Sequence, residues 1–340
     1  MPPIIRLHVR ISQSGWQPQG RRPWGWQAPV GQAIPKLRLR LPPNTGSHAE
    51  TGEILWHTGD FYVIEWRFIA RLWISWYSVL KSMFAIVSDI HSNYEALTTV
   101  LADIEKRGIK EIYCLGDVIG YGPNPRECLD LIIEKAQWCV LGNHDYAVFY
   151  EPTNFNYGAE QASFWTREVL EADGPGSQSD RRWQFLGELP MRHSVQTQLG
   201  PTKATIDFVH ASPRRPINEY VFPDDVYTNP AKVRTLFEKI THVCFIGHTH
   251  MPGVFLDEPD FYLPDELGGV YPVLEDEKAI INIGSVGQPR DKDNRASYVY
   301  VAENKVHFVR LEYDFETTMK KILAIDRLDS FHAERLRDGR

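Results

Sequence analysis

Asp89 and His91, two residues apart, close the apolar run Phe84-Ala85-Ile86-Val87. Four more clusters of the same ligand chemistry follow apolar runs: Gly116-Asp117, Gly142-Asn143-His144-Asp145, His210, and Gly247-His248-Thr249-His250. Carboxylate and amide oxygen suit hard divalent cations, and imidazole suits Mn²⁺, Fe²⁺ and Zn²⁺. Asp89, Asp117 and Asn143 with His91, His210, His248 and His250 are too many ligands for one cation that keeps an open position. They suit two cations that share a carboxylate. Such a pair stabilises both the attacking and the leaving oxygen of a phosphoryl displacement. Each residue alone has a plain structural use, as a turn, a helix cap or a core imidazole. Their ordered recurrence at strand ends points to a site.

In an extended segment, residues two apart point the same way. Asp89 with His91, and His248 with His250, are therefore predicted to project as pairs, with Thr249 turned away. Gly116, Gly142 and Gly247 precede ligands where the chain must leave a strand and turn tightly.

The elements that carry these clusters read as β-α-β-α-β. A strand at 84–88 leads to a helix over 93–107, with Leu97, Val100, Leu101 and Ile104 at helical spacing. A strand at 111–115, a GYGPNP loop, a helix near 125–135 and a strand at 138–141 follow. This order implies parallel strands, right-handed crossovers, and ligands gathered beyond the strands' C-terminal ends. Helices are predicted at 158–171, 180–188, 230–239 and 314–327, and strands at 193–199, 203–210 and 242–246. Strands near 279–283, 296–302 and 305–312 read as an antiparallel meander.

The quoted motifs SDIHSN, GDVIGYGPNP, GNHD, VHAS, GHTHMP and GSVGQPRD resemble those of the calcineurin-like metallophosphoesterases, over about Phe84 to Asp314. GYGPNP and GSVGQPRD make the chain most similar to their small prokaryotic phosphodiesterase-like branch. The resemblance implies an α/β fold, a four-layer α/β/β/α sandwich. It implies one cation on Asp89, His91, Asp117 and His250, and a second on Asp117, Asn143, His210 and His248, Mn²⁺ first with Fe, Zn or Ni as alternatives. It implies that metal-activated hydroxide attacks a phosphodiester or a small phosphomonoester. His144 would face the phosphate as a general acid, and Asp145 would orient His144. Ala211 stands after His210 where related sequences often have Gly.

Two segments are candidates for a substrate wall. Asn124 could donate to a substrate oxygen or belong to a structural loop. Arg290 could hold a phosphate bidentately or pair with Asp291 or Asp293. A non-catalytic binding scaffold of the same fold is the alternative function. It is expected to lose ligands or the His after Asn143, and here both are kept.

Composition divides the 340 residues. Residues 1–82 hold ten Lys/Arg against four Asp/Glu and seven of the ten Trp, whereas the remainder carries a net −13. That balance speaks against long nucleic acid as a partner, and the resemblance implies a small phosphorylated substrate. Residues 83–340 are expected to form the metallophosphoesterase domain, and 1–82 a poorly structured extension reflecting an upstream start, with Met83 opening the regular pattern. No apolar stretch of signal type follows Met1. Residues 61–80 carry Glu65, Arg67 and Arg71, a poor membrane span, although an interfacial amphipathic helix or a packed helix stays open. The four Cys form no CxxC pair and read as buried free thiols of a cytoplasmic protein.

Overall fold

The structure, a computed structural model, describes residues 83–199 and 202–340. The readings of residues 1–82 as an extension, and of 61–80 as an interfacial or packed helix, lie outside the described residues. In chain order the first elements are β1 (Phe84–Val87), α1 (Tyr94–Lys106), β2 (Glu111–Cys114), α2 (Pro125–Lys135), β3 (Trp138–Cys139), α3 (Asn143–Phe149), α4 (Tyr157–Glu171) and α5 (Ser177–Glu188). Next come β4 (Arg192–Leu199), β5 (Thr202–Val209), α6 (Asp225–Thr228), α7 (Pro230–Phe237), β6 (Val243–Ile246), β7 (Gly253–Leu256), β8 (Asp260–Tyr262) and β9 (Val270–Pro272). The chain closes with β10 (Ala279–Asn282), β11 (Ala296–Ala302), β12 (Lys305–Leu311), α8 (Phe315–Leu323) and α9 (Phe331–Asp338).

Two six-stranded sheets form, in the orders β3-β2-β1-β11-β12-β9 and β4-β5-β6-β10-β7-β8. The central strands are apolar on both faces, because each face has its own core. In β1, Phe84 and Ile86 enter the core between the sheets, while Ala85 and Val87 face the core beneath α1 and α2. In β6, Val243 and Phe245 point between the sheets, and Cys244 and Ile246 pack against Val233, Leu236 and Phe237 of α7. Three stacked cores give four layers, α/β/β/α. Burying each Ile or Phe side chain stabilises the stack by about 1.5–3 kcal/mol.

The β1-α1-β2-α2-β3 unit is parallel, as the sequence implies. Asn93 caps α1 through the amide N–H of Ala96, and Ala96, Leu97, Val100 and Ile104 form its buried face. The C-terminal meander is corrected. Only β11 and β12 make a hairpin, turning at Glu303 and Asn304, both with positive φ as a tight primed turn requires. β10 lies in the other sheet, parallel to β6 and antiparallel to β7. Strands β7, β8 and β9 are only three or four residues long, too short to announce themselves by alternation.

Candidate metal centre

The seven expected ligands converge and are buried. Asp89 Oδ1 lies 3.1 Å from His250 Nε2 and 3.8 Å from His91 Nε2. Asp117 Oδ2 lies 3.3 Å from His210 Nε2 and 3.7 Å from His91 Nε2, so this one oxygen stands between two groups of imidazoles. His210 Nε2 also faces Asn143 Oδ1 at 3.1 Å and His248 Nδ1 at 3.2 Å. Among the described residues three triads have ligand atoms close enough to hold an ion: Asp89-His91-His250, Asp117-His210-His248 and His91-Asp117-His144.

The imidazoles are aimed by their outer nitrogens. Nδ1 of His91 faces the carbonyl of Ile119, that of His210 the carbonyl of Leu115, and that of His250 the carbonyl of Gln288. A proton on each Nδ1 leaves the Nε2 lone pair free for the interior, the usual second-shell arrangement of a metal-binding histidine. Nε2 of His91 and of His250 then meet at 3.2 Å as two acceptors, a contact that a shared cation would reward. His248 is reversed. It presents Nδ1 to the cluster, and its buried Nε2 has no partner among the described residues.

The field favours positive charge. Burial alone would push Asp89 up, but His250 and His210 hold it at about 2. Burial opposes a proton on His210, yet Asp117, Asp89 and Asp145 raise it to about 9. The same burial, with mutual repulsion, keeps His91 and His248 well below the usual imidazole range. The pocket therefore concentrates its cation affinity beside Asp117 and has no room for five imidazolium ions. An N/O donor set with ionised carboxylates fits Mn²⁺, Fe²⁺ or Zn²⁺.

The backbone departs from the extended geometry expected at the paired ligands. Asp89, His91, Asp117, His248 and His250 all have φ between 49° and 64°. Left-handed turns, rather than strand alternation, aim these side chains. Gly116, at φ +89°, is the one of the three preceding glycines that needs a positive φ. Gly142 and Gly247 serve close approach instead. A Cβ on Gly142 would sit 2.1 Å from Asp117 Oδ1, and one on Gly247 would sit 2.3 Å from Asp89 Oδ2.

His144 is the second residue of α3, and its amide donates to Asp117 Oδ1 at 2.8 Å. Its ring packs on Tyr121 at 4.3 Å, Phe155 at 4.6 Å and His91 at 4.9 Å, and its buried Nδ1 has no partner among the described residues. Burial, then the charges of Arg290 and nearby imidazoles, outweigh Asp117 and bring His144 down to about 4.

The role expected for Asp145 is corrected. Its carboxylate accepts the amides of Asp117, Val118, Ile119 and Gly142, at 2.7 to 3.3 Å, and does not bond the His144 ring. It fixes the loop that bears Asp117. Asn124 is likewise drawn away from the cluster, for its Oδ1 accepts from Lys321 Nζ, which also pairs with Glu95. Arg290 forms neither expected ion pair. Asp291 is taken by Arg310 and Asp293 by Arg295, while the Arg290 guanidinium donates to Gln288 Oε1 and lies 5.8 Å from the Tyr121 ring centre.

Several participants escaped the sequence reading. Tyr121 and Gln288 lie inside quoted motifs, which was the available signal. Phe155 and Tyr220 had none. Tyr220 stacks on His248 at 4.1 Å and lines, with Asn143, His248, Phe155 and Asn218, a cleft of about 390 Å³.

A profile of the calcineurin-like phosphoesterase superfamily domain matches residues 83–305. An uncharacterized protein of Methanocaldococcus jannaschii is 40% identical over 270 residues, 77% of this chain and 100% of that protein. The crystal structure of a metallophosphoesterase from Sphaerobacter thermophilus is similar at a TM-score of 0.62 and 34% identity, over 76% of this chain and 99% of that one. A hypothetical protein from Pyrococcus horikoshii shares the fold at a TM-score of 0.58 and 19% identity, over 76% of this chain and 98% of its own. With its buried Asp/His cluster at the strand ends, the chain belongs to the calcineurin-like phosphoesterase superfamily.

Proposed function

We propose that this protein hydrolyses phosphodiesters or small phosphomonoesters with two divalent cations, Mn²⁺ foremost. The observation that carries the reading is Asp117 Oδ2, set between His91 and His210 where one oxygen can serve two ions. Asp89, His91, Asp117 and His250 would hold one cation, and Asp117, Asn143, His210 and His248 the other. When bound, the cations supply Lewis acidity toward the phosphoryl oxygens and the attacking water.

The chain's own groups do the rest. Carbonyls of Ile119, Leu115 and Gln288 keep three imidazoles in the liganding tautomer. His144, neutral near pH 7, donates a ring N–H to a phosphoryl or leaving oxygen. Tyr121 and Phe155 pack on that ring and keep water from it. Arg290 meets an anionic part of the substrate at the rim. Four free, buried cysteines support a reducing, cytoplasmic setting. Among the described residues no helix is long and apolar enough to cross a membrane.

The test is turnover of bis-p-nitrophenyl phosphate and p-nitrophenyl phosphate with and without Mn²⁺, with Asp117→Asn as control. Metal-dependent hydrolysis lost in the variant is expected, and the ratio of the two substrates separates diester from monoester preference. A metal-loaded protein inert on both, and on a wider panel of phosphate esters, removes the proposal.

A further inference from the structure

The cleft that holds Tyr220 opens on the metal cluster, for Asn143 and His248 are among its lining residues. It is the space beside any phosphate held there. Two segments distant in sequence line it. One is α3 and the connection after it, with Tyr146, Ala147 and Phe155. The other runs up to α6 and brings Asn218 and Tyr220. The mouth is apolar. Met191 and Tyr220 line the cleft and are exposed, and exposed Tyr150 and Phe222 stand against Tyr146 at 4.7 Å and Tyr220 at 5.5 Å. Exposed apolar side chains gathered in this way mark a binding groove rather than ordinary surface.

Both segments are braced from behind. Arg167 of α4 donates to the carbonyls of Ala147, Val148 and Tyr150, at the end of α3. Lys232 of α7 donates to the carbonyl of Tyr220 at 2.7 Å and to Asp225 Oδ2 at 2.6 Å, and that oxygen also accepts the amide of Phe222 at 2.7 Å. Ser212 and Arg214 both donate to Glu219, the residue before Tyr220. The aromatic side chains therefore sit on a fixed main chain, and a ligand that meets them has little left to order.

We propose that this cleft is a subsite for a flat heterocycle carried by the substrate, which makes the substrate a nucleoside phosphoester. The lining decides the ligand. Tyr146, Phe155 and Tyr220 offer aromatic surface, and Asn154 and Asn218, both exposed, offer amides that donate and accept. A nucleobase has both a face for the rings and polar edges for the amides. An aliphatic group would leave the amides without partners. A second phosphate would call for cations, and of the charged residues here Glu151 is paired with Arg167 at 3.5 Å while Arg215 alone is basic. The net −13 beyond residue 82 excludes a long strand and leaves a mononucleotide or dinucleotide. The position of the ester phosphate rests on the phosphoesterase reading, but the binding of the ring does not.

The experiment compares ligands that differ by the base, AMP and CMP against ribose 5-phosphate. Saturation-transfer NMR on the full chain, with no metal added so that no turnover intervenes, is expected to saturate the base protons most strongly. Titration should show at least one nucleotide bound about fivefold tighter than ribose 5-phosphate, roughly 1 kcal/mol, the low end for a base on an aromatic side chain. Tyr220→Ala should bring that ratio close to one, and Tyr220→Phe should keep it. No saturation of either base overturns the proposal, as does a ratio near one for both nucleotides, or a preference that survives in Tyr220→Ala. If that variant loses its thermal unfolding transition, Asn218→Ala decides, and an unchanged ratio there overturns the subsite. Turnover of bis-p-nitrophenyl phosphate by the parent is read separately. An inert parent with a Tyr220-dependent preference removes the phosphoesterase and leaves the subsite standing, whereas an active parent indifferent to the base removes the subsite alone.

Discussion

The candidate ligands of the cluster sit at or just beyond the ends of β1, β2, β3, β5 and β6, whereas the wall around them comes from places with no strand in common. Asp89, His91, Asp117, His248 and His250 occupy left-handed backbone, a strain of roughly 1–2 kcal/mol for each non-glycine residue. Cross-links hold them there. The amides of Asp89 and His91 donate to the carbonyls of Gly116 and Asp117, and the amide of His248 donates to the Asp89 carboxylate. Phe155 and Tyr220 have φ on the ordinary side and come from the α3–α4 connection and from the segment between β5 and α6. His332, packed on Tyr121, comes from the last helix. Chemistry here is held by short, strained and mutually bonded segments. The wall is assembled by packing between parts distant in sequence.

The largest effects should come from breaking the cluster at its shared oxygen. Asp117→Asn is expected to lower metal content in both halves and to cut turnover by far more than about 10²-fold, the upper range for loss of a supporting residue alone. Elemental analysis of the purified variant checks this. A variant with two full equivalents of metal would end the assignment of a bridging role. His144→Ala should behave differently, keeping both metals and losing about 10²–10⁴-fold in kcat. Loss of metal in that variant would instead place His144 among the ligands, as its nearness to His91 and Asp117 allows.

That division follows how much could be read in advance. The convergence of the seven candidate residues and the four layers were legible, because the D-x-H, GD, GNHD and GHTH clusters recur at strand ends and the central strands are apolar on both faces. What local spacing could not report was backbone conformation. It implied extended pairs where the chain turns left-handed. It could not see the partners of Asp145 and Asn124 either, since neighbouring main-chain amides and a lysine 197 residues away compete for those side chains. Helix α9 was missed for a related reason. It is eight residues long with Ala333 and Leu336 as its buried apolar positions, too weak a period to register.

Asp145 sharpens the comparison at intermediate size. Its two oxygens accept four main-chain amides, and burial, with Asp117 nearby, raises its pKa to about 7. Asp145→Asn replaces one acceptor oxygen by an NH₂ that faces N–H groups. Leaving buried donors unpaired costs about 1–3 kcal/mol, and the Asp117 loop loses its anchor. A drop of about 10–100-fold in metal affinity is expected, together with a lower Tm. If Asp145 oriented His144 instead, metal affinity would hold while kcat alone fell.

The smallest effect belongs to the wall. Tyr220 is 47% exposed, stacks on His248 at 4.1 Å and lies parallel to Phe222 at 5.5 Å. An aromatic contact of this kind is worth about 0.5–1.5 kcal/mol beyond its buried area. Tyr220→Ala should therefore raise KM by about 2–12-fold and leave metal content intact, while Tyr220→Phe, which keeps the ring, should stay near the parent. The backbone turn and the Asp89 carboxylate already hold the main chain of His248, so the stack is not needed to place the ligand. Metal loss in Tyr220→Ala would say otherwise, that a packing residue helps hold the metal, and the separation between strained cluster and packed wall would fail at this contact.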